Sequence, residues 1–306
     1  MIVAAAALWA VVCPQAWAAA APAVALPWWG WPLALFVICF FLGMVAVPAG
    51  VGGGVLFVPI VSGFFPFHLD FVRGAGLLVA LASAVAAAPG LLRAGLADLR
   101  LALPLALLAS ASSIAGALIG LALPATVVQI ALGVTILCIV VLMAAAQKSE
   151  FPAVARADPL ARALHIHGVF HDAVHDREIA WQVHRTPLAL ILFVGIGMLA
   201  GLFGLGAGWA NVPALNLVMG VPLRLSAGSS GFILSIVDSS AVWVYINKGA
   251  VLAIIAAPSV IGMMLGAFIG VRLLRVIKAS VIRKLVIVML SAAGLRALAK
   301  GLGIWT

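Results

Sequence analysis

The chain has 306 residues, of which 66% are apolar and only 8% are charged. Soluble proteins carry about 45–50% apolar and about 25% charged residues, so this composition excludes a water-soluble fold and indicates an integral membrane protein. The net charge of +9 does not indicate a nucleic-acid partner, because Lys and Arg cluster at the ends of apolar segments, where they set topology and contact lipid head groups. The predicted partner is therefore the lipid bilayer.

The N-terminal segment, residues 1–30, is apolar and contains the small-residue sequence Ala16-Trp17-Ala18. That sequence fits the cleavage site of a signal peptide, although the usual basic residues before the apolar stretch are missing. A cleaved signal peptide and an extra N-terminal helix both remain open. Either interpretation favours the inner membrane of a bacterium.

The rest of the chain divides into two transmembrane repeats joined by a polar linker. The first repeat, residues 31–146, has a glycine- and proline-broken segment at 31–64 and helices near 72–92, 100–121 and 125–146. The linker spans 147–186, and the second repeat, residues 187–306, has the same order at 187–219, 226–247, 250–272 and 280–302. These runs are continuously apolar rather than alternating, which predicts helices and not a barrel. The predicted fold is all-α and polytopic, with about eight hydrophobic segments plus the N-terminal one.

The duplication is visible in the residues themselves. Residues 43–59, GMVAVPAGVGGGVLFVP, align with residues 197–213, GMLAGLFGLGAGWANVP, at a constant offset of 154 positions. Proline removes a helical hydrogen bond and glycine costs about 1 kcal/mol relative to alanine, so each broken segment is predicted to be two short helices that meet at a turn. In a chain this apolar, a repeated broken helix is typical of a transporter.

The breaks also determine the predicted topology. If each broken segment is a re-entrant hairpin or two crossings, a repeat crosses the bilayer an odd number of times and the second repeat is inverted, whereas an unbroken helix would give parallel repeats. The inverted arrangement places most of the 17 Lys and Arg residues on the side of the linker and leaves only Arg73, Lys248, Arg296 and Lys300 on the other. The positive-inside rule then predicts a cytoplasmic linker and both mature ends outside.

The two breaks are the candidate substrate site. Backbone that leaves the helix inside a bilayer must lie in protein or line a wet cavity, because an unpaired amide in hydrocarbon costs several kcal/mol. Amides at the starts of the short helices carry positive partial charge, which suits an anionic substrate. Close packing through small residues is the alternative explanation. The candidate backbone positions are Gly50, Gly52, Gly53, Gly54, Gly204, Gly206 and Gly208.

Polar side chains follow the second break. Asn211 lies just after it, and Ser229 and Ser230 lie in the next helix, where an amide and hydroxyls can replace part of the water shell of an anion. Asp238 is the only acid well inside a predicted span. It is either a proton site for coupling or a carboxylate that is capped by neighbouring serines or paired with a cation.

Two arginines and the linker histidines complete the set of candidates. Arg73 and Arg296 are possible anion partners, but Arg73 also fits a topological anchor and Arg296 also fits a side chain that snorkels outward. The linker carries most of the histidines, including the run from His165 to His175. A solvated connection and a metal- or pH-sensing element are both open, and no metal site is assigned.

One motif suggests an enzyme. Gly228-Ser-Ser-Gly231 matches the Gly-x-Ser-Gly of intramembrane serine proteases, but their serine needs a histidine base, and the only histidine outside the linker is His68, in an interhelical loop. No catalytic residue is therefore assigned. No nucleotide-binding motif such as GxxxxGK[ST] occurs, so no cofactor is predicted, and coupling to the proton gradient or facilitated exit is expected.

The order and spacing of these motifs resemble the sulfite exporter (TauE/SafE) family of membrane permeases over about residues 33–303. The likeness rests on the repeated glycine break ending in Pro59 and Pro213, the small or hydroxyl-bearing helix after each break, and a G-x(8)-P pair in each repeat. The resemblance implies export of small sulfur-containing anions, with the paired glycine motifs, Ser229 and Ser230 at the site. The first repeat departs from the family pattern, because Arg73-Gly-Ala-Gly76 replaces small hydroxyl residues there.

These observations predict a permease that exports sulfite or organosulfonates by alternating access. The alternatives are an anion channel or an importer of the same fold, and a non-transporting membrane sensor that uses the histidine linker. A homo-oligomer is compatible with the sequence.

Overall fold

The computed structural model describes residues 27–49, 52–93, 95, 97–145, 154, 157–172, 177–273 and 279–303. The first repeat contains α1 (Gly30–Ala49), α2 (Gly53–Phe64), α3 (Leu69–Arg93), α4 (Leu99–Ala122) and α5 (Ala125–Ala145). The linker contains α6 (Pro159–Ala163), β1 (His167–Asp172) and β2 (Arg177–Gln182). The second repeat contains α7 (Thr186–Phe203), α8 (Gly208–Pro213) with a π-helical turn at Ala214–Val218, α9 (Leu223–Asn247), α10 (Ala253–Leu273) and α11 (Ala279–Gly301). Nearly all of the N-terminal segment lies outside the described residues.

The described helices have the composition of membrane spans. Five of them are long and apolar enough to cross a bilayer: Leu69–Ala88, Leu99–Ala122, Thr186–Phe203, Leu223–Asn247 and Ala253–Gly270. Large apolar side chains remain exposed on their outer faces, as at Leu107 and Ile191, which is expected where lipid replaces water. The predicted helical membrane fold is therefore confirmed, with one exception. The linker holds an antiparallel β-hairpin in which His167 pairs with Gln182 and Asp172 with Arg177.

Each broken segment is a hairpin whose two arms return to the same end of the bundle. In the first, the ring of Trp31 at the start of α1 lies 5.5 Å from the ring of Phe65 and 6.0 Å from that of Phe67, both just after α2. In the second, the amide of His184 just before α7 donates a hydrogen bond of 3.1 Å to the carbonyl of Met219 just after the π-helical turn. Two helices that meet at a turn are thus present at both breaks.

The repeats pack against each other reciprocally. The first helix of each repeat lies along the fourth helix of the other, so α1 packs on α10 and α7 packs on α4. Glycines permit the close approach: Gly262 and Gly266 of α10 lie against backbone carbonyls of α1, and Gly197 and Gly201 of α7 lie against those of α4. The third helices, α3 and α9, pack on each other, and so do the fifth helices, α5 and α11.

The hairpins enter the bundle from opposite ends. The guanidinium of Arg73, near the start of α3, lies 5.9 Å from the ring of Tyr245, near the end of α9. Two turns further inward on each helix, Ala80 and Asp238 both lie against Gly206. The helices α3 and α9 therefore run antiparallel. Because the first hairpin opens where α3 begins and the second opens where α9 begins, the two openings lie at opposite ends.

Candidate functional site

The turns of the two hairpins meet inside the bundle. A Cβ atom built on Gly52 would lie 3.9 Å from the Cα of Gly208 and 3.7 Å from Cδ1 of Leu234. A Cβ atom built on Gly54 would lie only 2.6 Å from the carbonyl oxygen of Leu205. The backbones of the two breaks are therefore in contact, and a side chain at Gly54 would push them apart.

Three glycines at the breaks adopt a backbone conformation that other residues tolerate poorly. The φ angles are +82° at Gly52, +69° at Gly204 and +73° at Gly206. Gly206 is also enclosed, because a Cβ atom there would lie 2.9 Å from the Cβ of Ala80 and 3.0 Å from Oδ2 of Asp238. The conformation and the space together require glycine at position 206.

The start of α2 is capped by a residue that the sequence analysis missed. The amide of Gly53 donates a 3.2 Å hydrogen bond to Oγ of Ser83 in α3, and the Ser83 hydroxyl donates to the carbonyl of Ala80 at 2.8 Å. This contact satisfies one of the amides that the start of a helix leaves unpaired. A lone serine in the apolar run of α3 was the available sign in the sequence. Gly50, beside this turn, lies outside the described residues.

Buried polar atoms without partners lie at the second hairpin. Asn211 of α8 is fully buried, and neither Oδ1 nor Nδ2 has a hydrogen-bond partner among the described residues. The same holds for Nε1 of Trp209 and for both carboxylate oxygens of the fully buried Asp238. Buried polar groups in proteins are nearly always hydrogen-bonded, so this set marks a candidate binding site.

The serines around Asp238 do not cap it in this structure. Ser235, Ser239 and Ser240 each donate to a carbonyl of their own helix, at 2.7 Å, 2.6 Å and 3.1 Å. No ion pair to Asp238 is present within the described ranges. The sequence left two structural explanations for Asp238 open, capping by serines and pairing with a cation. Neither is realised among the described residues.

The hydroxyl-bearing positions of α9 are buried. The Oγ atom of Ser229 accepts a 3.1 Å hydrogen bond from the amide of Asp98, the residue that caps α4. This contact fastens the start of α4 to α9. Ser230 is 4% exposed on the same helix. A role of either serine in substrate binding stays a prediction.

Arg73 is held by the ends of two helices. Its Nη1 atom donates to the carbonyls of Gly120 in α4, at 3.1 Å, and Leu202 in α7, at 2.9 Å. Its Nη2 atom donates to Gly120 as well and pairs with the carboxylate of Asp70. The guanidinium is fully buried and satisfies carbonyls that a helix end leaves without partners. These contacts favour the structural anchor over the anion partner.

Arg296 lies at the open end of the first hairpin and not at its turn. Its Nε atom donates a 2.6 Å hydrogen bond to the carbonyl of Gly63, and its guanidinium lies 4.1 Å from the centre of the Phe64 ring. The start of α2 at Gly53 is about 15 Å away along the helix, at about 1.5 Å per residue. The structure therefore does not bring Arg296 to the meeting point of the turns, and an anion-binding role there is not supported.

The linker is folded against the second hairpin. Ile166, Trp181 and Val183 share a buried apolar cluster with Leu215 and Met219. The rings of His165 and His167 lie 6.5 Å apart. In the part of the chain that the structure describes, no three His, Cys, Asp or Glu residues are arranged to hold a metal ion, and His175 falls outside that part.

The helices and the meeting hairpins define a polytopic membrane protein with buried polar groups in its interior, the class to which permeases belong. A sequence model of the family described as sulfite exporter TauE/SafE matches residues 35–297. The chain belongs to this family of membrane permeases, which confirms the resemblance predicted from the repeated glycine breaks. A search of curated proteins and a search of solved structures each found no match.

Proposed function

We propose that the protein exports a small sulfur oxyanion, sulfite or a short organosulfonate, across the inner membrane of a bacterium by alternating access. The substrate binds where the turns of the two hairpins meet. The observation that carries this proposal is a pair of buried donors, Nδ2 of Asn211 and Nε1 of Trp209, that have no partner among the described residues and that closely follow Gly208, which contacts Gly52. An oxyanion offers the acceptors that these donors lack.

Asp238 links transport to protons in this proposal. Its carboxylate oxygens lie against Gly206, at the turn of the second hairpin. An ionised carboxylate would repel an incoming anion, whereas a protonated carboxyl group would donate a hydrogen bond to it. Binding of the anion and protonation of Asp238 are therefore expected to favour each other.

The inverted arrangement of the repeats is part of the same proposal. The antiparallel course of α3 and α9 and the opposite openings of the two hairpins support it, as does the distribution of positive residues in the sequence. Each hairpin then enters the bilayer from its own side, and the substrate site lies between their turns. The linker is cytoplasmic.

Flux into proteoliposomes tests the proposal, with sulfite, short alkylsulfonates, carboxylates and halides as substrates. We expect saturable flux of the sulfur oxyanions and its loss in Gly206→Val, because the valine would meet Ala80 and Asp238 at a φ angle of +73°. Gly195→Val is the matched control, since nothing lies within 4 Å of a Cβ atom there. Undiminished flux in a folded Gly206→Val would show that the breaks serve packing, and flux that does not saturate would indicate a channel.

A further inference from the structure

A cavity with polar side chains in its wall lies at the end of the bundle where the first hairpin opens. It has a volume of about 240 Å³ and lies between the starts of α3 and α5 and the end of α11. The lining residues that matter here are Phe67, His68, Leu69, Thr126, Gln129 and Lys300. It is separate from the turns of the hairpins, because its wall includes the end of α2 at Ser62 rather than the start of α2.

Two of the side chains that line this cavity carry hydrogen-bond donors. The ammonium group of Lys300 donates one hydrogen bond, of 2.9 Å, to the carbonyl of Ser62. An ammonium group has three N–H donors, so two have no partner among the described residues. Gln129 is only 6% exposed, and its Nε2 atom has no hydrogen-bond partner among the described residues. A buried amide of this kind in the wall of a cavity indicates a ligand that accepts hydrogen bonds.

The starts of two long helices reinforce this polarity. In α5 the first amide that bonds back to an earlier carbonyl is that of Val128, which donates to Pro124 at 3.2 Å. The amides of the first turn, including that of Thr126, therefore have no partner within the helix and carry positive partial charge. The start of α3, at Leu69, borders the same cavity.

Among the described residues, the one acid near this cavity is Asp70, and it is already paired. The carboxylate of Asp70, in the first turn of α3, contacts the guanidinium of Arg73 and lies 3.5 Å from Nδ1 of His68. Its charge is therefore balanced by Arg73, whereas the charge of Lys300 has no carboxylate within salt-bridge distance in the described ranges. The cavity has a positive electrostatic balance.

We infer that this cavity binds a small oxyanion, with its oxygens on Lys300 and Gln129. At roughly 30 Å³ for one water molecule, the volume also leaves room for several waters or for a short alkyl chain beside Phe67 and Leu69. In a protein that exports an anion, this cavity is the place where the anion pauses after it leaves the central site. That role rests on the proposed function, but the binding itself does not require transport.

Calorimetric titration of sulfite into the full-length protein, purified in a maltoside detergent under nitrogen, tests this inference. To isolate the outer site, the titration is made in the Asn211→Leu background, which lacks one proposed donor of the central site and is expected to keep the stability of the parent protein. We expect Lys300→Gln and Gln129→Leu each to weaken binding about tenfold or more, since each removes a donor to a charged ligand. Lys300→Arg keeps the charge and should retain binding. Lys248→Gln is the matched control, because Lys248 is an exposed lysine that does not line the cavity.

The phosphate of a lipid head group offers the same acceptors as sulfite. A second titration in the same background, after addition of phosphatidylglycerol, separates the two ligands, because a lipid that occupies the cavity would suppress the part of sulfite binding that Lys300→Gln removes. That result would retain the oxyanion site and reassign its occupant. Unchanged sulfite affinity in folded Lys300→Gln and Gln129→Leu, or no sulfite binding with and without lipid, would overturn the inference. Loss of flux in Gly206→Val is measured separately, so the two proposals can fail independently.

Discussion

The two hairpins share a backbone plan but differ in polarity. At the offset that relates the repeats, Asn211 of the second hairpin corresponds to Phe57 of the first, and both side chains are fully buried. Asp238 likewise corresponds to Ala84. The glycines that make the turns are retained in both copies, whereas among the described residues of the two hairpins the buried polar side-chain atoms without partners, on Trp209 and Asn211, belong to the second. Duplication thus supplied a pair of turns, and in the proposed function the second hairpin supplies the groups that contact the substrate.

The difference extends to how each turn is stabilised. The first turn is capped by a side chain, through the bond from Gly53 to Ser83. The second turn relies on two glycines with positive φ, Gly204 and Gly206, and on Arg73, which holds the carbonyl of Leu202 just before the turn. Among the described residues, the second hairpin therefore carries the buried polar groups without partners, which in the proposed function the substrate completes.

The largest expected effect is the loss of flux in Asn211→Leu, which gives the second hairpin the apolar character of the first. Removing a donor to a charged ligand should lower kcat/KM for sulfite about tenfold or more in proteoliposomes. The free energy of unfolding should stay the same or rise, because a buried amide without a partner is replaced by an apolar group of similar size.

Phe57→Leu is the matched change in the first hairpin. It should lower the free energy of unfolding by about 1 kcal/mol and leave sulfite flux nearly unchanged. If Phe57→Leu reduced flux as much as Asn211→Leu does, the functional difference between the hairpins would be refuted.

The next effect concerns pH. Because a protonated Asp238 favours the anion, flux in the parent protein should rise as the pH is lowered, and Asp238→Asn should remove this dependence. An alkylsulfonate is the appropriate substrate, since its charge does not change over the range and only the protein titrates. Ala84→Asn, the equivalent change in the first repeat, should keep the dependence. A pH profile in Asp238→Asn that matched the parent would exclude this residue from coupling.

The smallest effect is expected at the first turn. Ser83→Ala removes the cap from Gly53 and should lower the free energy of unfolding by about 1 kcal/mol, measured by thermal or denaturant unfolding in detergent. Transport should fall only slightly, because the substrate donors lie on the other hairpin. Ser291→Ala is the control, since Ser291 bonds only to a carbonyl of its own helix. Loss of flux in Ser83→Ala without loss of stability would assign Ser83 to the substrate site.

Local signals in the sequence predicted most of the fold. Long apolar runs predicted the bounds of the helices to within a few residues, and glycine together with proline predicted both breaks. Hydrophobicity and helix-breaking residues are local signals, because each affects only one or two helical turns of the chain. The histidine-bearing linker is predicted as a polar connection, and its β-hairpin is not among the predicted elements.

The candidate site was predicted less completely, because its partners come from distant parts of the chain. Arg73 is a helix-end arginine in the sequence, and only the packing of α4 and α7 around it shows that it satisfies their carbonyls. Ser83 and Gln129 have no motif around them and become informative through burial and through the contacts that they make or lack. The resemblance to a family names the glycines of both breaks as site residues, which stays a prediction, whereas the close approach of Gly52 to Gly208 is visible in the fold.

The crossed pairing of α1 with α10 and of α4 with α7 has a consequence for biogenesis. When residue 146 leaves the ribosome, neither of these two helix pairs has formed, since α7 and α10 are still to be synthesised. Until the second repeat has been synthesised, α1 and α4 therefore lack the helices on which they pack in the finished protein. Nascent chains stalled before residue 250 should therefore be the forms that cellular proteases remove first.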